Sequence, residues 1–346
     1  MNSNIRTKFI SREDILKSKC FNVCNILNVI ENVLIDYKNK NVLLPDKISQ
    51  IFDEKSQNRI NCMPATLLKQ KISGVKWVSV FPNNPNVYNI PNITGVIILS
   101  ELEKGFPIAV MDGTFCTAVR TAVMGAIGAK YLAKKDAETI SFIGSGEQAK
   151  MHFIAIKQVF PSLKICRVAS KTEESVENFI KDLSALYPEI KFESYGTDTH
   201  NVPKGSDIIV TATSTQAPLL KADSISEGAL YIHVGGWEDE YEVPLKANKI
   251  VCDNWETVKH RTQTISRMFK EKKLNDSNIY ANIADIIVGE KKGRENDGEF
   301  IYYNTVGLSF IDVAVAYYFY NKVIEAGFGT DMILQEDLNL YDYLVK

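Results

Sequence analysis

Gly144, Gly146 and Ala149 stand in a G-x-G-x-x-A spacing directly after the apolar run Ile140-Ser141-Phe142-Ile143. A strand that runs into such a turn and then a helix suits a dinucleotide. The first glycine permits the tight turn, the second lets backbone approach a pyrophosphate, and the small third residue lets helix and strand pack closely. The anion would meet the free N–H groups of the helix start, where Glu147 and Gln148 stand. At the end of the next strand an acidic residue would bind the ribose 2′-hydroxyl of NAD. Here that place holds Ser170-Lys171-Thr172, and two hydroxyls with a cation suit a 2′-phosphate. The cofactor expected is therefore NAD(H) or NADP(H), with NADP(H) favoured. Thr211-Ala212-Thr213-Ser214 closes a later strand, and its Thr211 and Thr213 hydroxyls can line the same cleft.

The surrounding pattern gives these residues a scaffold. A chain of 346 residues predicts two domains, and a formal charge of −2 gives no general attraction to nucleic acid or an anionic membrane. No apolar run spans a bilayer, and the first residues lack the apolar core of a signal peptide, so a cytoplasmic protein is expected. Six scattered cysteines form no C-x-x-C pair, and Cys20 and Cys24, at helical spacing, have no histidine near them in sequence, so reduced thiols and no metal site are expected. Ser11-Arg12-Glu13-Asp14 reads as a capping box, and Ile26, Leu27, Ile30, Val33, Leu34 and Tyr37 form one helical face. Short β-rich runs between 71 and 111 suggest an antiparallel sheet. Asp112-Gly113 reads as a turn, and 120–134 as a helix.

After the glycine turn, strands at 165–169, 191–195, 207–211, 230–234 and 249–252 alternate with helices, one of which Pro188 stops. The fold class expected is α/β, a Rossmann-type doubly wound parallel sheet with a discontinuous α+β substrate and dimerisation domain. Its boundaries are 1–119 with 312–346 for the second domain, and 120–311 for the dinucleotide domain. A helix at 313–326 ends at Gly327, ahead of an acidic tail.

Several motifs ahead of the glycine turn go further. They are Arg59-Ile60-Asn61-Cys62-Met63-Pro64, Ser73-Gly74-Val75-Lys76-Trp77, Thr94-Gly95-Val96-Ile97-Ile98-Leu99, Pro107-Ile108-Ala109-Val110-Met111-Asp112-Gly113 and Arg120-Thr121-Ala122. In this order they resemble the ornithine cyclodeaminase/mu-crystallin family. Asn84-Pro85, Leu132-Ala133-Lys134-Lys135 and Gly293-Arg294-Glu295 are similar to its branch acting on an N-substituted glutamate in siderophore biosynthesis.

The resemblance implies NAD(P)-linked redox chemistry at an amino-acid carbon–nitrogen bond, on a small amino-acid or imino-acid substrate. It places Lys76 beside the substrate and Arg120 on the substrate carboxylate. Lys47 falls where a second carboxylate-binding cation stands, and Arg294 could meet a further carboxylate. Thr121 and Gly235 join the dinucleotide contacts, and a homodimer is implied. A lysine in an apolar strand can move protons near neutrality, and a guanidinium fixes a carboxylate with two parallel bonds.

Cyclodeaminases carry an acid directly after a glycine pair. Here Gly235-Gly236 precedes Trp237, then Glu238-Asp239-Glu240. Glu238 is the acid/base expected, with Asp239 and Glu240 in a solvated loop. Three readings stand open: a dehydrogenase or imine reductase, a cyclodeaminase-like lyase that releases ammonia, and a mu-crystallin-like binder of NADPH and a small ligand.

Overall fold

The computed structural model describes residues 4–53 and 56–336. The chain forms two compact units. One comprises Met1–Asn22, Asn39–Thr117 and Ser309–Lys346, and the other Val23–Lys38 and Ala118–Leu308.

The first unit is built on a sheet of eight strands among the described residues. Their order is Thr330–Gln335, Ile5–Ile10, Pro107–Asp112, Ile93–Glu101, Ile72–Val80, Asn58–Leu67 and Val42–Leu43, with Ile48–Asp53 also pairing on Asn58–Leu67. The long strands pair antiparallel, so Met63 lies opposite Lys76 and Lys76 opposite Ile97. Side chains alternate across a pleated strand, which puts Gly74 and Lys76 on one face and Trp77 on the other. The helix Ser309–Glu325 covers the first face. Gly74 makes that approach possible, since an added Cβ would lie 3.0 Å from Val313 Cγ2 on the helix and 3.0 Å from the Ile98 carbonyl oxygen.

The second unit holds a sheet of eight parallel strands among the described residues. The order is Lys191–Ser194, Ile165–Ala169, Thr139–Ile143, Ile208–Thr211, Leu230–His233, Ile301–Asn304, Lys249–Cys252 and Ala281–Asn282. Its central strands are buried along their whole length, as parallel strands covered on both faces must be. Thr139–Ile143 has the next strand in sequence on one side and Ile208–Thr211 on the other. Strand order reverses there, and such switch points are where open α/β sheets take ligands.

Four expectations change. Asp112-Gly113 is no turn: Asp112 Oδ1 accepts from the Phe115 N–H at 2.6 Å and starts the helix Gly113–Leu132. The helix Val23–Lys38 groups with the parallel-sheet unit, because Lys38 pairs with Asp285 and Glu290 and Tyr37 accepts from Asn254. Thr330–Gln335 is a strand, antiparallel to Ile5–Ile10; the acidic tail from 337 lies outside the described residues. Asp239 is not in a solvated loop, since the strand Trp237–Asp239 pairs with Gln216–Leu220 and buries it completely.

Candidate active site

The carboxyl ends of the parallel strands bring most of the expected dinucleotide residues together. Gly144 has φ +105°, open to glycine alone without strain, and an added Cβ would lie 2.6 Å from the Ala212 carbonyl oxygen and 3.0 Å from Thr213 Cγ2. The turn is thus seated against the end of Ile208–Thr211. Gly146 caps the helix Glu147–Val159 with no side chain, and a Cβ there would meet open space. Both observations fit a pyrophosphate lying on the backbone at this helix start. Ser145 donates to the Ser170 hydroxyl at 2.9 Å, which joins the first and second strand ends. Thr172 spends its hydroxyl capping the helix Glu173–Ser184, accepting from the Ser175 N–H, while Lys171 is exposed. Glu147 is exposed, Gln148 is half-buried, and Ala149 is buried under the turn.

Glu238 lies beneath this edge, fully buried. Its Oε1 accepts from the Thr213 N–H at 2.6 Å and the Thr213 hydroxyl at 2.7 Å. Its Oε2 accepts from the Thr211 hydroxyl and the Gly235 N–H, each at 2.7 Å. A Cβ on Gly235 would lie 2.5 Å from Oε1, so glycine is needed for this approach. A carboxylate that accepts from four fixed donors has no lone pair aimed outward for proton transfer. The geometry therefore corrects the acid/base expectation. Glu238 is a clamp that gathers two strand-end loops. Beside it, burial pushes the Asp239 carboxyl up to about 6.

Arg120 is buried against backbone. Gly307 has φ +80°, and an added Cβ would collide with the guanidinium. Asp253 Oδ2 accepts from the Val306 and Gly307 N–H groups, both at 2.8 Å, and fixes that loop. Burial pushes the Asp253 carboxyl up, and these N–H groups and the Arg120 charge work against it. Thr121 follows on the same helix, half-buried.

In the other unit Lys76 is 1% exposed, and its Nζ lies 2.6 Å from Oδ1 of Asp312, which is 0% exposed. Asp312 sits in the first turn of Ser309–Glu325, the helix that Gly74 admits. Cys116 is buried nearby, its thiol pushed well up by burial and then by Asp112 and Asp312. Lys47 directly precedes the Ile48–Cys62 pairing, so the register sets it level with Met63, opposite Lys76.

Sequence reasoning missed Asp312. Its signal was a single acid amid Phe310, Ile311, Val313, Ala314 and Val315, where a charge must find a partner. Asp253 and Gly307 were missed as well.

Arg294 is a correction. Its guanidinium donates to the carbonyl oxygens of Leu132 (2.8 Å), Glu299 (2.7 Å), Asn296 (3.2 Å) and Ala229 (3.4 Å). Ala229 and Glu299 lead into strands, which puts Arg294 at the amino edge of the sheet, away from the glycine turn. It ties loops together there and is not a substrate ligand.

The profile of the Ornithine cyclodeaminase/mu-crystallin family matches residues 6–327, and the chain belongs to that family. It is 30% identical over 285 residues to the N-((2S)-2-amino-2-carboxyethyl)-L-glutamate dehydrogenase of Staphylococcus aureus, which covers 82% of this chain and 83% of that one. Among solved structures, Delta(1)-pyrroline-2-carboxylate reductase of Thermococcus litoralis, in complex with NADH and L-proline, superposes with a TM-score of 0.89 at 29% identity, over 94% of this chain and 99% of that one. An archaeal alanine dehydrogenase dimer with bound NAD superposes with a TM-score of 0.87 at 28% identity, over 96% of this chain and 100% of that one.

Proposed function

We propose that this family member, an NAD(P)-dependent oxidoreductase of amino-acid carbon–nitrogen bonds, interconverts a small amino acid and its imine, which water resolves to a keto acid and the released amine (an amino acid where the substrate is an N-substituted glutamate). The observation that carries this reading is the buried Lys76–Asp312 pair. An apolar pair would pack this sheet-to-helix contact at lower desolvation cost, and Lys76 stands where the family likeness places a lysine beside the substrate; the two together support a chemical role. A dinucleotide held at the Gly144–Gly146 turn would supply hydride acceptance or donation at the substrate α-carbon. Lys76, charge-balanced by Asp312, holds or moves the proton at the reacting nitrogen. Arg120, braced on the Gly307 backbone, grips the carboxylate, and Lys47 adds a point charge.

An N-substituted glutamate is the substrate favoured by the likeness to the Staphylococcus aureus enzyme. Ser170 and exposed Lys171 support NADP(H) over NAD(H). The uncovered face of the antiparallel sheet carries a row of Ile48, Cys62, Trp77 and Val96, with Ile48, Trp77 and Val96 exposed. That row, with the dimeric alanine dehydrogenase relative, supports a homodimer joined through this face. No helix among the described residues is long and apolar enough to cross a membrane.

Nicotinamide absorbance, followed with a panel of amino acids and N-substituted glutamates, tests the reaction. Stoichiometric reduction of the dinucleotide is expected, with a lower KM for NADPH than for NADH. Ammonia release without net reduction would instead identify a lyase, and no change with any substrate a binding protein.

A further inference from the structure

Two neighbouring strands of the parallel sheet run out into loops that carry different halves of the proposed chemistry. Leu230–His233 and Ile301–Asn304 stay paired as far as His233 and Asn304. The first continues to Gly235, whose N–H donates to Glu238. That carboxylate also accepts from the Thr213 N–H, beside the glycine turn. The second continues to Thr305 and Gly307, the backbone against which Arg120 lies. Past the end of the ladder, the Gly235 and Thr305 carbonyls need a donor from outside the sheet.

Gln263 serves both. Its Nε2 donates to the Gly235 carbonyl oxygen at 2.8 Å and to the Thr305 carbonyl oxygen at 2.9 Å. Backbone carbonyls can only accept, so the amide presents its nitrogen to them. Asn304 Nδ2 donates to the remaining Oε1 at 2.8 Å, which uses the whole amide. Gln263 is 4% exposed, and the element behind it is anchored. It directly precedes the helix Thr264–Lys270, whose Ile265 and Met268 are fully buried and whose Thr264 hydroxyl donates to Asp239 Oδ1 at 2.6 Å. A glutamine kept dry in one geometry carries entropy and desolvation costs that packing alone does not require.

We propose that Gln263 is a positioning residue: its amide locks the dinucleotide edge to the backbone that braces Arg120, so that cofactor and substrate carboxylate bind in one fixed geometry. This rests on the oxidoreductase reading above. One amide bridging two loops leaves neither free to move alone. Without it, both carbonyls are left buried and unpaired, and the loops part to reach water. Ligands would then have to draw the loops back together at the expense of their own affinity. Gln263 touches no reacting atom, so the chemical step should suffer less than the two binding steps.

Full-length Gln263→Met keeps the length of the side chain and removes both donors. In NADH titrations it should bind about tenfold more weakly, the scale of one buried hydrogen bond lost. The KM of the best substrate from the amino-acid panel should rise by a similar factor, while kcat falls about threefold at most. A variant that melts earlier yet keeps the wild-type NADH affinity and substrate KM has lost only a structural contact, which overturns the proposal. A rise in just one of the two constants overturns it as well. Should Gln263→Met fail to fold, hydrogen exchange on the wild type decides: NADH should slow the backbone amides of 305–308 as well as those of 213–215. Unchanged exchange at 305–308 overturns the coupling. A wild-type protein that binds neither NADH nor NADPH removes the cofactor reading itself, whereas unchanged constants in Gln263→Met remove this proposal alone.

Discussion

Two lysines sit on sheet strands with little exposure, one in each unit, and their partners set them apart. Lys76 lies in the interior of Ile72–Val80 and meets a fully buried aspartate on a covering helix. Lys249 opens the strand Lys249–Cys252 at the amino edge of the parallel sheet. It is 7% exposed, donates to the Gly293 carbonyl oxygen at 2.7 Å, and pairs with Glu295 and Glu299 at 2.8 and 3.0 Å. Burial works to lower the Lys249 pKa, and the two glutamates more than reverse it, so the group stays an ammonium. With Arg294 it closes loops over an edge remote from the glycine turn. Burial and an ion pair together do not mark chemistry. What separates the two lysines is where they stand: Lys76 in mid-strand under a covering helix, Lys249 at the amino edge of its sheet.

Substitution should pull the two apart. Lys76→Met should lower turnover about a thousandfold, within the range for losing a positioned acid or base, while dinucleotide affinity holds. Turnover near that of the wild type would sink the role.

A third buried group sharpens the contrast because its nearest partner is a carbonyl. His152 Nδ1 donates to the Gln148 carbonyl oxygen at 2.7 Å, and burial, with a smaller push from Arg120, brings its pKa down to about 4. A folded-state pKa below the unfolded value of 6.5 means that protonation opposes folding. The stabilising contribution is present above pH 6.5 and is lost as pH falls through about 4. It amounts to about 3 kcal/mol. Denaturant melts across that window should show this loss in the wild type and a flatter profile in His152→Gln; parallel profiles would refute it.

The smallest effect is expected at Lys249. Its replacement by Met should cost about 2 kcal/mol of stability, less than for a fully buried pair because Glu295 is 42% exposed, and leave turnover within about twofold. Thermal melts and steady-state rates check both.

What the sequence made legible was local. The glycine turn, the Ser11–Asp14 capping box and the runs of parallel strand carry their signals within a few residues. Asp312 lies 236 positions from Lys76, and their meeting depends on strand register and on a glycine two residues away. The strand Ile301–Asn304 was hidden because it inserts between Leu230–His233 and Lys249–Cys252, out of chain order. Arg294 misled for a related reason: a motif states which residues are near in sequence, not which edge of a sheet they occupy. Glu238 was found by resemblance, yet only its four donors show that it clamps loops.

The most direct test sets the two lysines side by side: NADH titration and steady-state turnover on Lys76→Met and Lys249→Met, each compared with the wild type. The account predicts that both variants bind the dinucleotide normally and that Lys76→Met alone stops turning over. Equal losses in the two variants, or sustained turnover in Lys76→Met, would contradict it.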